Sequence, residues 1–105
     1  MVMAKFTKPL ESATRTKINN YLINLGWEID ESSPNCNCFT ERARTVEENS
    51  KFKGNKPDYV LYSSNTFEPI AIIEAKKIGE SLDKALEQGI TKYAKPLGIK
   101  IVFIT

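Results

Sequence analysis

The sequence reads as a single α/β domain built around a mixed sheet. Two runs rich in β-branched and aromatic residues, Lys56–Tyr62 and Ile70–Lys76, flank a short polar break at Ser63–Thr66. That is the pattern of an antiparallel hairpin. A helical stretch, Leu82–Lys95, and a second apolar run, Ile99–Thr105, follow it. Strand, helix and strand in that order make a βαβ unit with a right-handed crossover. A hairpin feeding a βαβ unit gives a sheet of mixed sense, and 105 residues hold one such domain with a modest core.

In chain order, Met1–Thr7 reads as a loose lead-in and a helix is expected from Pro9 to Leu25. Pro9 suits the first turn, Ile18, Tyr21, Leu22 and Leu25 form an apolar stripe, and Gly26 suits the stop. Trp27–Ile29 reads as the start of a strand, and Asp30–Phe39, rich in Ser, Asn, Asp and Pro, as a loop. Thr40 is placed to cap a short helix running to about Glu48, and Asn49–Lys56 is a basic, flexible approach to the hairpin. Ile70–Ile73 is apolar without alternation, so it is expected to be buried on both faces.

Beyond the hairpin, Gly79 breaks the chain and Ser81 is placed as a helix cap. Leu82, Ala85, Leu86, Ile90 and Tyr93 recur at helical spacing and predict the core face. Lys84, Gln88, Lys92 and Lys95 form a neighbouring polar stripe, and Pro96 and Gly98 end the helix. The expected core comprises Ile72, Ile73, Leu86, Ile90, Ile101 and Phe103.

Composition excludes several classes. The absence of histidine removes Ser/His/Asp catalysis and leaves Cys36 and Cys38 without the further soft ligands of a structural zinc site. Two thiols so close are expected to stay reduced in a loop. No run has the length of a membrane span and the amino terminus lacks a signal-peptide core, so a cytoplasmic location is expected. A net charge of +2 is too small to argue for nucleic acid by itself, so any basic footprint must be local.

The chemistry concentrates at one end of the hairpin. With the break near Asn65–Thr66, Asp58 falls opposite Ile73 and Glu74. Strand alternation puts Glu74 and Lys76 on one face and turns Ala75 away. Two carboxylates and an ammonium at the edge of an apolar strand are costly to bury without a purpose. Two carboxylates can hold a hard divalent cation, and a lysine beside them can orient water or neutralise a phosphate, which is the equipment for metal-dependent phosphodiester hydrolysis.

These residues carry a resemblance. Pro57-Asp58, fifteen intervening residues and Glu74-Ala75-Lys76 match the PD-(D/E)xK nuclease signature. The phrases KPDYVLY, PIAIIEAKK, EQGITKYAKPLG and IVFIT resemble the N-terminal nuclease domain of type I restriction enzyme R subunits over roughly residues 8 to 105. The resemblance implies a restriction-endonuclease-like three-layer α/β/α fold with a central mixed sheet. It implies magnesium or manganese held by Asp58, Glu74 and the carbonyl of Ala75, with Lys76 beside the attacking water. An acidic residue on the first helix often joins the metal in these nucleases, and Glu11 is the matching position, although a first-turn acid equally suits any helix. Gln88 is similar to the glutamine of the Q-x-x-x-Y motif of R subunits and RecB-type nucleases. Here four residues, not three, separate it from Tyr93, which predicts Tyr93 on the apolar face instead of in the site.

The implied partners are double-stranded DNA and the modification and specificity subunits of a restriction complex, with no membrane. ATP enters only through a motor region that these residues do not include, so the chain is expected to be the amino-terminal part of a longer one. Two other readings remain open: a stand-alone or RecB-type member of the superfamily, and a non-catalytic module that docks DNA or partner subunits.

Overall fold

The computed structural model describes residues 2–77 and 79–105, with side chains from residue 13 onward. Four strands form one sheet in the order β1-β2-β3-β4: β1 Cys38–Thr40, β2 Tyr59–Tyr62, β3 Pro69–Glu74 and β4 Ile101–Ile104. The first two pairings are antiparallel and β3 runs parallel to β4, so the sheet is mixed as expected. Tyr59 pairs with Ile73 and Val60 with Ile72, which is the hairpin register read from the sequence.

Both faces of the sheet are covered, and β2 shows it residue by residue. Tyr59 and Leu61 pack with Ala71, Ile73, Cys38 and Leu22 of helix α1 (Val2–Asn24). Val60 and Tyr62 point the other way, into a core with Ile72, Phe52, Tyr93 and Ile99. All four β2 residues are therefore buried, as a central strand between two helical layers requires.

The second layer contains helix α3 (Leu82–Gln88), a π-helical turn (Gly89–Ala94) and helix α4 (Lys95–Leu97). Ser81 caps α3 by accepting the Lys84 amide at 3.1 Å, and Gly98 ends the run in the left-handed conformation at φ +70°. These boundaries match the sequence reading.

Several expectations are corrected. The lead-in at Met1–Thr7 is helical from Val2, so α1 starts well before Pro9. No strand forms at Trp27–Ile29; these residues follow the Gly26 turn at φ +100° and pack against the α1 side of the sheet. The loop assigned to Asp30–Phe39 ends in β1, whose three residues are too few to show a period. Thr45, not Thr40, caps the short helix α2 (Val46–Ser50) by accepting the Glu48 amide.

The core is also narrower than expected. Ile72 and Ile73 are buried, but Ile70, Leu86 and Ile90 are more than a third exposed, and Ile101 and Phe103 about half. The cause is position. β4 is the sheet edge, and its Ile101 and Phe103 extend the Ala71–Ile73 row beyond the area that Leu22 covers. Cys36 and Cys38 are both free thiols, buried on opposite sides of the sheet, and burial pushes Cys38 up to about 12. Among the described residues no helix is long and apolar enough to cross a membrane.

The segment that leads to the hairpin is tied down by one phenol. Tyr62, fully buried, accepts the Arg44 amide at 2.6 Å and donates to Glu48 at 2.7 Å. Tyr62→Phe would strand both partners, and the expected loss is about 1–3 kcal/mol of unfolding free energy in urea titration. An unchanged midpoint would show that the β1–α2 connection is held by packing alone.

Candidate metal and phosphate site

The site forms where β2 begins and β3 ends. The Tyr59–Ile73 pairing leaves Asp58 and Glu74 as the next pair in register, and their side chains complete the ladder that their main chains begin. The Asp58 amide donates to Glu74 Oε1 at 2.8 Å, and the Ala75 amide donates to Asp58 Oδ2 at 2.7 Å. Each carboxylate is thus held by the other residue's strand. Glu74 lies on the same sheet face as Ile72, which directs it toward the α3 layer.

There the pair borders a cavity of about 220 Å³ whose walls include Asp58, Glu74, Lys77, Gln88, Lys92 and Tyr93. Burial pushes the Glu74 carboxyl up to about 7. The charges of Asp58 and Glu80 add to the rise, while the Asp58 amide and Lys77 oppose it. The Tyr93 phenol is raised to about 12, by burial first and then by the negative charge of Glu74 and Asp58. Its hydroxyl donates to the Lys56 carbonyl at 2.9 Å, which fastens the basic approach segment to the cavity wall.

The far wall depends on the π-turn. A π-turn bonds i to i+5 and takes one more residue than an α-turn on the same path. Gln88 and Tyr93, five apart, therefore both line the cavity. The extra residue that set this segment apart from Q-x-x-x-Y is absorbed in the backbone, and Tyr93 belongs to both the core and the site. Gly89 opens the turn against the sheet: a Cβ there would stand 3.0 Å from Val102 Cγ1 and 3.5 Å from Glu74 Cγ.

The expected site residues are not all gathered. Asp58, Glu74, Ala75 and Gln88 line one cavity. Lys76 is exposed and does not line it, although its amide is bonded to the Thr105 carbonyl at 2.6 Å, continuing the β3–β4 ladder. The adjacent Lys77 lines the cavity instead. The Glu11 side chain lies outside the described residues; its backbone sits within α1, away from the first turn where the sequence placed it.

Arg15 was not anticipated. It stacks over the Tyr59 ring at 5.6 Å and reaches Glu41 at 3.4 Å and Asp58 Oδ1 at 3.5 Å, holding Asp58 from the α1 side. Its position four residues after Glu11 was the available signal, because both fall on one helix stripe by spacing. The signal for Tyr93 was the interrupted motif itself, with glycine directly after Gln88.

The donors suit a hard cation. Among the described residues no group of three or more His, Cys, Asp or Glu is assembled to hold a metal. The Asp58 and Glu74 carboxylates are oxygen donors on a polar cavity that Ala75 also lines, and magnesium commonly uses one or two carboxylates with water and phosphate completing its shell. Comparison of the chain with protein-family models, with curated proteins and with solved structures gave no match.

Two measurements probe this geometry. The folded protein keeps a proton on Glu74 up to about pH 7 that the unfolded chain releases near its ordinary 4.5. In metal-free buffer this group therefore costs the wild type stability as pH rises from about 4.5 to 7, on the order of 3 kcal/mol. Glu74→Gln is expected to abolish that decline in urea titrations at each pH, and parallel profiles for the two proteins would contradict the burial of the charge. Deleting the exposed Thr91 should turn the π-turn into a regular α-turn and keep Tyr93 bonded to Lys56, with a melting temperature equal to wild type or higher. A drop of more than about 5 °C, roughly 1 kcal/mol for a domain of this size, would show that the π-turn is required by the packing.

Proposed function

We propose that this chain is a metal-dependent DNA endonuclease domain with a restriction-endonuclease-like fold, the cleavage module of a type I restriction R subunit. The observation that carries the reading is the Asp58–Glu74 pair, bonded into each other's strands on a polar cavity that lysines also line. Carboxylates for a cation beside ammoniums for phosphate oxygens is the charge arrangement that phosphodiester hydrolysis needs. The four-stranded mixed sheet with helical layers on both faces supports the fold assignment, and Gln88 and Tyr93 on one wall support kinship with nucleases that carry Q-x-x-x-Y.

In this reading Asp58, Glu74 and the Ala75 carbonyl would hold magnesium or manganese, which supplies Lewis-acid stabilisation of phosphoryl charge and a more acidic water. Arg15 and the Ala75 amide fix the Asp58 carboxylate from two sides. Glu74, high in its titration range without metal, accepts a proton readily and gives it up when a cation binds. Lys76, free in solvent at the strand end, is the motif lysine that would meet the water once DNA closes over the site. Gln88 presents an amide to the cavity, suited to a phosphate oxygen. Double-stranded DNA is the substrate, sequence choice belongs to a specificity subunit, and ATP-driven translocation belongs to a motor outside these residues.

The test is a thermal shift on this chain. Repulsion between the carboxylates is relieved by a bound cation, so magnesium or manganese at about ten times its Kd should add roughly 1.4 kcal/mol, several degrees of melting temperature. Asp58→Asn should lose most of that shift. In the complete enzyme, Lys76→Ala should keep the metal response and ATP turnover yet lose about 10²–10³ in strand breakage. Equal shifts in wild type and Asp58→Asn would end the metal assignment.

A further inference from the structure

Four lysines lie near the carboxylate pair in the fold, and the structure separates them. Lys56, Lys77 and Lys92 line the cavity with Asp58 and Glu74, while the motif lysine, Lys76, does not. Lys77 comes from the segment leaving β3, and Lys92 from the π-turn. The two therefore approach one space from two different elements.

Neither is committed to an internal partner. Among the described residues every ion pair uses arginine: Arg15 with Glu41 and Asp58, and Arg42 with Glu31. Lys77 and Lys92 are exposed residues on the cavity wall, so neither side chain bears the desolvation that burial would impose. A cavity of about 220 Å³ is too small for a folded ligand but accommodates one phosphate group of a chain that continues past it on either side.

We propose that Lys77 and Lys92 form a phosphate-holding pair that seats one backbone phosphodiester of a nucleic acid over the Asp58–Glu74 carboxylates. This rests on the nuclease reading and goes beyond its motif, which contains neither residue. Lys84 and Lys95, on the same helical run, are exposed but do not line the cavity, which makes them the natural controls.

The experiment measures binding of a fluorescein-labelled duplex of about 20 base pairs to the whole chain at 50–200 mM salt. Calcium replaces magnesium, and intact duplex is verified on the same samples. Each phosphate contact contributes ~0.9 to the slope of log K against log salt, so the Lys77→Ala/Lys92→Ala protein should lose ~1.8. The Lys84→Ala/Lys95→Ala protein should keep the wild-type slope, and Lys77→Arg/Lys92→Arg should keep it too. A loss smaller than ~0.9 in the first protein, or an equal loss in the control, overturns the pair while leaving the nuclease reading in place. Wild-type protein that binds no duplex at 50 mM salt removes that reading, and the pair with it.

Discussion

The site hangs on two hydrogen bonds that cross between neighbouring strands. Asp58 donates its amide to Glu74, and Ala75 donates its amide to Asp58. Side chains here do what main-chain carbonyls do further along the ladder. The bonds exist only if Tyr59 faces Ile73, because a one-residue slip would send one carboxylate to the opposite face of the sheet. The register is protected in turn by the two cores, since the same slip would turn Tyr59 and Leu61 into the layer packed for Val60 and Tyr62, and the reverse. Position of the acids and burial of the hairpin are thus one constraint. Two like charges are kept close because moving them apart would unpack both layers.

The opposite wall is built by a different device. An α-helix through Gln88–Tyr93 would present only one of these residues to the carboxylates, since five positions exceed a turn by more than one residue. The π-turn brings both round, and Gly89 lets the widened backbone lie against Val102 and Glu74 without a clash. Wide turns of this kind carry poorer hydrogen bonding than regular helix. Here one is kept where the chain closes on a charged pair and where Tyr93 must reach both the Phe52 ring, 5.3 Å away and edge-on, and the Lys56 carbonyl. Core packing and site geometry meet at that phenol.

How much of this was legible follows from which signals are local. The hairpin, the Ser81 cap, the Gly98 stop and the parallel β3–β4 pairing came from turn chemistry and apolar runs, and they stand. Counting out of the turn left Asp58 opposite Ile73 and Glu74, and the register shift at Leu61/Tyr62 moves the pairing by the one residue that brings it to Glu74. β1 was invisible, since Cys38–Thr40 is recruited by β2 and carries no period of its own. Leu86, Ile90, Ile101 and Phe103 have core spacing but lie where the layers end, and periodicity does not record the extent of a layer. Tyr93 was rightly placed in the core, and its second place on the cavity wall was missed by assuming 3.6 residues per turn throughout. Lys76 was placed beside Glu74 by extending strand alternation past Glu74, the last residue of β3.

The distribution of charge type carries the argument one step further. Arginine is engaged in the protein's own contacts: Arg15 bridges α1 to Asp58 and Glu41, Arg42 ties Glu31 while covering Phe39, and Arg44 lies over Phe67. A planar fork suits fixed geometry and stacking, so these contacts position loops and carboxylates. The lysines whose side chains are described are exposed, and three of them line the cavity that contains Asp58 and Glu74. A flexible ammonium is well hydrated until an anion arrives and costs little to keep waiting. The small net charge of +2 therefore conceals a division, among the described side chains, between arginines engaged in the protein's own contacts and lysines exposed to solvent.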